Sequence, residues 1–282
     1  MISPNEERYI LAQAYVPEHI VGLMSGISRG DPFLIGDYLG FAKDNWAILV
    51  GYPLADDFDA EDFGRVIAGT ITSFRPVHLW FIAPEVPPSV AQLCRARESD
   101  DYYTLALQQF ELKPHLRRIV NKASRELTVE RSRNIGKEHE ELISEFLERE
   151  KPGPRIETLF LSMAEYVAGT RTAVVLTARD RAGAAAAFYV VELAAKHFAT
   201  YVVGCHSKRH YAVGASDLLF ADMIALAKEH EKAYIHLGLG VNEGIRRFKE
   251  KWGGVPRLRY EFCEYRRSDP LRFLPFASRI WT

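Results

Sequence analysis

The fold is decided between Lys196 and Gly254, where the chain reads KHFATYVVGCHSKRHYAVGASDLLFADMIALAKEHEKAYIHLGLGVNEGIRRFKEKWGG. The pattern predicts a strand, a short polar loop, an amphipathic helix, a second strand and a glycine-containing turn that leads into a last helix. This order places a row of backbone N–H groups at a helix start, beside the carboxyl end of a strand. Such a place holds a phosphorylated ligand with few side chains.

Composition bounds the class of protein. The 282 residues are 48% hydrophobic and 26% charged, which is typical of a globular chain of about two domains. The longest apolar run, 182–193, is too short and too interrupted to span a bilayer, so we expect no transmembrane segment. The first eight residues lack a basic start and an apolar core, so they do not resemble a signal peptide.

Three cysteines bear on the redox environment. Cys94, Cys205 and Cys263 are far apart and odd in number. This pattern favours buried thiols in a reducing compartment over a disulfide framework. We therefore expect a cytoplasmic protein.

The charge is distributed unevenly along the chain. Residues 1–105 carry seven Lys and Arg against fifteen Asp and Glu, whereas residues 106–282 carry twenty-nine against twenty-two. An acidic part beside a basic part indicates either mutual attraction between two domains or a basic part that meets an anionic ligand. The sequence supports the two interpretations equally.

The N-terminal part has an α/β pattern. Apolar spacing predicts a helix over 16–28, and apolar runs predict strands over 45–52 and 77–83. Asp59 is a candidate N-cap for a helix between these strands, so the two strands should be parallel. The proline-rich segment 84–88 should lead into a further helix, and we place the domain boundary near residue 105.

The second part combines helices with a mixed sheet. Short connections predict three antiparallel strands over 172–178, 184–193 and 198–205, and Ser216 is a candidate N-cap for the helix that follows. The remaining predicted elements are helices over 113–126, 137–150 and 158–168 and strands over 127–131 and 234–239. The sequence therefore predicts an α/β (α+β) fold, with a mixed sheet flanked by helices on both faces.

In the Lys196–Gly254 segment, the loop between the first strand and the helix has the pattern of a phosphate-binding loop. Arg209, Ala212 and Gly214 fit the spacing Arg-x-x-Ala-x-Gly, in which small residues let the backbone approach a diphosphate. Lys208 and Arg209 could pair with phosphate oxygens. The alternative is an ordinary strand-to-helix turn with exposed basic residues.

These segments resemble the Gcn5-related N-acetyltransferase (GNAT) superfamily. Arg209-His-Tyr-Ala-Val-Gly214 is similar to a degenerate acyl-coenzyme A pyrophosphate loop, and Asn242 is followed by Gly253 at the spacing found after the family's fifth strand. Phe248-Lys-Glu-Lys-Trp-Gly-Gly254 resembles the ending of the Fem-type branch, which includes peptidoglycan-bridge enzymes and the soluble domain of phosphatidylglycerol lysyltransferases. Leu116 to Arg125 resembles the basic helix that opens the second domain in that branch.

The resemblance covers roughly 110–265 and implies a domain organisation. Residues 106–282 would form a GNAT-like acyltransferase domain, and residues 1–105 a shortened, degenerate GNAT-like copy in tandem with it. Nothing in 1–105 matches a cofactor loop, so that part should be structural or shape the acceptor site.

The resemblance also implies a site for acetyl-coenzyme A or another acyl-coenzyme A. The residues expected to bind it are Tyr201, Val202, Val203, Lys208, Arg209, Ala212, Val213, Gly214, Ala215, Ser216 and Asn242. The family's usual acid, a Tyr, is replaced by Lys249, so Tyr211 and Tyr234 are candidate substitutes; alternatively no acid is needed, because a coenzyme A thiolate is a good leaving group. For the general base, Glu192 lies in an apolar strand where desolvation would favour proton uptake, and His206 is the second candidate. The alternative for Glu192 is the exposed face of a strand.

These residues lead to two hypotheses. The first is an N-acyltransferase that moves an acyl or aminoacyl group from an activated donor, acyl-coenzyme A first, to a small-molecule or peptide amine. A Fem-type donor, aminoacyl-tRNA, is the alternative, and the basic helix near 113–133 could meet its phosphates, although docking of that helix on the acidic part is favoured. The second hypothesis is a non-catalytic GNAT-fold binding module. Cys205, His206 and His210 lack a fourth ligand, so we expect no metal.

Overall fold

The structure is a computed structural model that describes residues 2–267; most of the C-terminal segment 266–282, a candidate cover for a site, lies outside the described residues. The helices are α1 (Pro4–Gln13), α2 (Val21–Ser28), α3 (Ala60–Phe74), α4 (Pro114–Ala123), α5 (Lys137–Glu150), α6 (Pro154–Leu161), α7 (Met163–Gly169), α8 (Ala215–Glu229) and α9 (Glu243–Lys251). The strands are β1 (Asp31–Ile35), β2 (Tyr38–Lys43), β3 (Trp46–Val50), β4 (His78–Ala83), β5 (Cys94–Ala106), β6 (Leu127–Ser132), β7 (Ala173–Asp180), β8 (Ala185–Glu192), β9 (Phe198–His206), β10 (Tyr234–Leu239) and β11 (Val255–Arg266). Within residues 2–267, helices long and apolar enough to cross a membrane are absent.

The chain divides into two compact units. Of the described residues, unit 1 contains 2–103, 239–246 and 256–267, and unit 2 contains 104–238 and 247–255. The first division lies close to the expected boundary at 105, but two later segments return to unit 1. The interpretation of residues 1–105 as a degenerate GNAT-like copy stays a prediction.

Unit 1 is a sheet with helices on both faces. Its strands run in the order β1-β2-β3-β4-β11-β5, and β3 and β4 are parallel, as predicted from the helix between them. On β3, Ile48 packs in a cluster with residues of α1 and α2, whereas Leu49 packs with Phe63 of α3. Successive side chains on a strand point to opposite faces, so each face is buried by different helices.

Unit 2 has the predicted mixed sheet, in the order β10-β9-β8-β7-β6. β7, β8 and β9 pair antiparallel, and β9 and β10 pair parallel. On β8, the ring of Phe188 contacts His139 of α5, while the hydroxyl of the next residue, Tyr189, donates to a carbonyl in α8. Because neighbouring residues face opposite ways, α5 and α8 cover opposite faces of the sheet.

Several local predictions are wrong. The segment expected to be a helix over 16–28 is a short 3-10 turn followed by α2, and the helix expected after the prolines is another 3-10 turn that leads into β5. The helix expected over 158–168 is broken into α6 and α7 at Ser162. The strands β1, β2 and β11 and the helix α1 were not anticipated.

The cysteine prediction is also wrong. Cys94 and Cys263 form a disulfide, with their Cα atoms 5.5 Å apart, and only Cys205 is a free, buried thiol. The pairing was missed because the two cysteines are 169 residues apart, and only the return of β11 to the sheet of unit 1 brings them together. The argument from cysteines for a reducing compartment therefore fails.

We expect the disulfide to be visible in thiol counts and in stability. Denatured, unreduced protein should show one reactive thiol, and reduced protein three. Reduction should lower the free energy of unfolding by about 2–5 kcal/mol, because the bond closes a long loop in the unfolded chain. Urea unfolding with and without reductant measures this, and a Cys94→Ser/Cys263→Ser variant should not respond to reductant. Three thiols in freshly prepared, unreduced protein would contradict the pairing.

Candidate functional site

The central feature of unit 2 is a fork between two parallel strands. β9 and β10 pair at Phe198–Tyr234, Ile235–Ala199 and Thr200–His236, and their pairing stops there. Both strands deviate just beyond this point. The register of β8 against β9 shifts so that Val202 is an extra residue, and Gly238 adopts a left-handed φ of 72°. A bulge bends a strand and a left-handed residue turns it, so the two strands separate after Thr200 and His236.

Buried polar side chains lie at the base of the fork. Thr200 is 2% exposed, and its hydroxyl has no hydrogen-bond partner among residues 2–267. Its strand neighbour His236 is fully buried; burial first, and the charge of Lys249 second, lower the pKa of His236 to about 3. Lys249 itself is only 6% exposed. The base of the fork therefore contains a neutral imidazole and a buried lysine close enough to affect it.

Two tyrosines lie beside the fork, on β8 and β9. The rings of Tyr189 and Tyr201 meet edge to face with centroids 4.9 Å apart, and a Cβ on Gly204 would come within 2.5 Å of both side chains. Glycine is thus required at 204 because the two rings cover it. Burial raises the pKa of both tyrosines, so both hydroxyls remain protonated. The Tyr189 hydroxyl donates to the carbonyl of Ser216 at 3.1 Å, which ties the strand to the start of α8.

The loop 207–214 connects β9 to α8, as the sequence predicts. Lys208 and Arg209 are exposed, as are Tyr211 and Val213. The helix α8 is capped by Gly214, with a φ of 82°, and not by Ser216 as predicted. Glycine is preferred there because side chains disfavour that conformation. A Cβ at 214 would also approach the Cβ of Ala123 to 3.1 Å, so the loop packs on α4.

The ending Phe-Lys-x-x-Trp-Gly-Gly packs α9 against α8. Asp217 in α8 accepts hydrogen bonds from Lys251 and from the indole N–H of Trp252, the latter at 2.9 Å. The Trp252 ring is 1% exposed and lies 4.7 Å from the ring of Phe220. A Cβ on Gly254 would be 2.8 Å from Leu237 of β10. The motif thus fixes α9 to α8 and β10, and this packing positions Lys249.

The three predicted catalytic residues lie in different places. Glu192 is fully buried, and its carboxylate accepts hydrogen bonds from the Tyr166 hydroxyl and from the backbone N–H groups of Leu193 and Ala194. Glu192 pairs with Thr200, whereas His206 ends β9 six residues later, roughly 20 Å away along the strand. Burial lowers the pKa of His206, and the side chain of Tyr211 is 67% exposed.

The contacts of Glu192 are those of a structural residue: it is the last residue of β8, and its carboxylate satisfies nearby donors. Both of its oxygens are occupied, and Tyr166, which donates to one, is itself buried. The alternative of an exposed strand face does not apply either. We do not assign a proton-transfer step to Glu192.

The predicted donor-binding residues fall into two groups. Tyr201, Val202 and Val203 line the fork, and Ala215 and Ser216 form the first turn of α8, all in unit 2. Asn242 lies in a segment of unit 1, where its side-chain oxygen accepts from the N–H of Ile245 at 2.9 Å. This bond caps the start of α9, which explains an Asn at that position without a ligand.

Sequence reasoning missed the base of the fork. His236 stands in an apolar strand and Thr200 in another, and neither belongs to a motif. Lys249 was noted only as a replacement for the family's tyrosine. The sequence did contain one signal for these residues, namely a polar residue within each of two predicted apolar strands. In the part of the chain that the structure describes, groups of three or more metal-ligating side chains are not found.

Comparison with solved structures establishes the fold. FemX matches over 96% of this chain and 98% of its own, with a TM-score of 0.66 and 12% identity. The chain has a GNAT fold. The C-terminal domain of a putative lysylphosphatidylglycerol synthetase from Agrobacterium fabrum matches over 93% of this chain and 92% of its own, with a TM-score of 0.61 and 17% identity.

A tandem GNAT protein from the clavulanic acid biosynthesis pathway matches over 94% of this chain and 95% of its own, with a TM-score of 0.57 and 14% identity. Protein-family models and curated proteins give no match by sequence. At these identities the comparisons establish the GNAT fold alone.

The buried imidazole of His236 predicts a pH dependence of stability. The unfolded chain protonates a histidine near pH 6.5, whereas native His236 does so only near pH 3. Between these values the unfolded state binds more protons, so the free energy of unfolding should fall as the pH is lowered from 6.5. Buried His19, whose pKa is lowered to about 4 by burial, acts in the same direction.

Urea unfolding at pH 7.5 and pH 5 tests this dependence. The loss of stability between the two values should be smaller in His236→Gln than in the natural chain, by up to about 2 kcal/mol. The exposed His210→Gln variant is the matched control and should leave the loss unchanged. An equal loss in all three proteins would show that His236 is not held neutral.

Proposed function

We propose that this chain is a transferase that moves an acyl or aminoacyl group from an activated donor to an amine. The observation that carries the proposal is the fork between β9 and β10. Backbone groups of 201–203 that face the gap lack partners from β10, and buried backbone groups require partners. An extended donor arm with amide groups would supply them, and a strand N–H aimed at the acyl carbonyl would polarise it.

The base of the fork supplies polar groups for the reaction. The acceptor amine attacks the acyl carbonyl, an oxyanion develops, and the bond to the leaving sulfur or oxygen breaks as the amine loses a proton. A buried cation stabilises such an oxyanion strongly because little water screens it. Lys249 is the residue that we assign to this role. The imidazole of His236 beside it stays neutral and is too weak a base to take the amine proton, which leaves with the departing sulfur or oxygen.

Acyl-coenzyme A is the first candidate donor. The loop with Lys208 and Arg209 follows β9 directly and enters the helix start, where N–H groups favour a pyrophosphate. The acceptor would be a small-molecule or peptide amine. The predicted cytoplasmic location stays a proposal, and the Cys94–Cys263 disulfide does not support it.

A second donor, aminoacyl-tRNA, is favoured by the surface of α4. Its basic side chains are exposed, and Gly214 packs on this same helix, so the charges continue those of the loop. The exposed residues are Lys113, Arg117, Arg118, Lys122 and Arg125. A positive surface of this length fits a nucleic-acid backbone better than a single pyrophosphate.

Donor binding separates these candidates. Coenzyme A, acetyl-coenzyme A and longer acyl thioesters should raise the melting temperature saturably, since a ligand that binds only the native state stabilises it. Arg209→Glu should remove the rise, and Arg117→Glu should leave it intact. For tRNA, both variants should weaken binding, and binding should weaken steeply with salt. Gly214 is unsuitable for this test because substitution there also disturbs the packing on α4. If neither donor class binds, the transferase proposal fails.

Replacement of Lys249 tests the chemistry. Lys249→Met keeps the apolar stem and removes the charge, so turnover with the donor that binds should fall by about 100-fold or more, with little change in donor affinity. Lys196→Met, at an exposed site, is the control. The pKa of His236 should also rise in Lys249→Met, because a neighbouring positive charge is lost, and NMR titration of the ring measures this. Unchanged turnover would remove Lys249 from the mechanism.

A further inference from the structure

A carboxylate from α5 lies on the first residues of the donor loop. One oxygen of Glu145 accepts a hydrogen bond from the backbone N–H of Lys208 at 2.5 Å, and the other accepts from the hydroxyl of Ser207 at 3.1 Å. The Ser207 hydroxyl oxygen in turn accepts from the N–H of His210 at 3.0 Å. The first donors of the loop are thus occupied by a negative charge of the protein itself.

A guanidinium completes this arrangement. Nη1 of Arg149 lies 3.8 Å from the Glu145 carboxylate; this nitrogen is buried and makes no hydrogen bond within residues 2–267. The Arg149 side chain is 16% exposed and its Nε donates to Glu150. A backbone N–H, a hydroxyl and a guanidinium around one point form the donor set that recognises an oxyanion such as phosphate.

The carboxylate of Glu145 is held in its charged form. Burial alone would raise the pKa of Glu145, but the bonds from Lys208 and Ser207 and the charge of Arg149 outweigh it and hold the pKa below its usual range. A phosphate that approached the same donors would meet this negative charge at close range. It would have to displace the carboxylate or bind beside it against repulsion.

We propose that Glu145 is an internal anion that occupies the first hydrogen-bond donors of the loop, at Ser207 and Lys208, and weakens the binding of donors that carry a pyrophosphate. The inference rests on the proposed donor site and specifies its selectivity. A donor whose reacting ester lies far from any pyrophosphate enters the fork without moving Glu145. A pyrophosphate-bearing donor has to displace it or bind beside it against repulsion, and where Glu145 is displaced Arg149 becomes a partner for the incoming phosphate.

Binding of coenzyme A tests the proposal. Isothermal titration with coenzyme A and with inorganic pyrophosphate would be compared for the natural chain, Glu145→Gln and Glu145→Ala. Both variants should bind each probe at least tenfold more tightly than the natural chain. Glu148→Gln removes the same charge from an exposed position on the same helix and should change affinity less than twofold. Adding Arg149→Gln to Glu145→Ala should reverse most of the gain.

The outcomes separate this proposal from the transferase proposal. Equal affinities for the natural chain and both Glu145 variants, or binding by none of them at millimolar probe, would overturn the role of Glu145. A gain in Glu148→Gln as large as in Glu145→Gln would also overturn it, since it would show a general charge effect. If the Glu145 variants gain affinity but transfer no acyl group, the role of Glu145 stands and the transferase proposal falls.

Discussion

The separation of β9 from β10 is the constraint on which unit 2 depends. A parallel pair normally continues to the ends of its strands because every backbone group needs a partner. Here the pairing ends after three residues, and the local causes are the extra residue Val202 and the left-handed Gly238. Around this fork, Trp252 packs α9 against α8 and the two tyrosines cover Gly204.

Much of the fold is predictable because its signals are local. The apolar spacing in α5 and the Asp59 cap of α3 lie within single elements, and both predictions are confirmed. Other elements were missed although a signal was present: Ser3 and Glu6 form a capping box at the start of α1. The sequence of the edge strand β1, DPFLI, does not alternate between polar and apolar residues. This fits its position, because none of its residues is fully buried.

The site is less predictable because its residues come together only through the sheet. The loop from Ser207 to Gly214 has a recognisable spacing, and the structure places it at the end of β9. Thr200, His236 and Lys249 belong to three elements and share no motif. The contact of Glu145 with Lys208 joins residues 63 positions apart, which spacing cannot reveal. The sequence also does not reveal that three hydrogen bonds occupy the carboxylate of Glu192, whose role as a general base stays a prediction.

The discontinuity of unit 1 has a consequence for synthesis on the ribosome. Its first hundred residues emerge early, yet β4 receives its partner β11 only when residues 261–266 have been made. During that interval the backbone edge of β4 is open, while most of unit 2 emerges and is able to fold. The part that is translated first is therefore completed last. An exposed strand edge during elongation is a point at which chaperones or neighbouring nascent chains would bind.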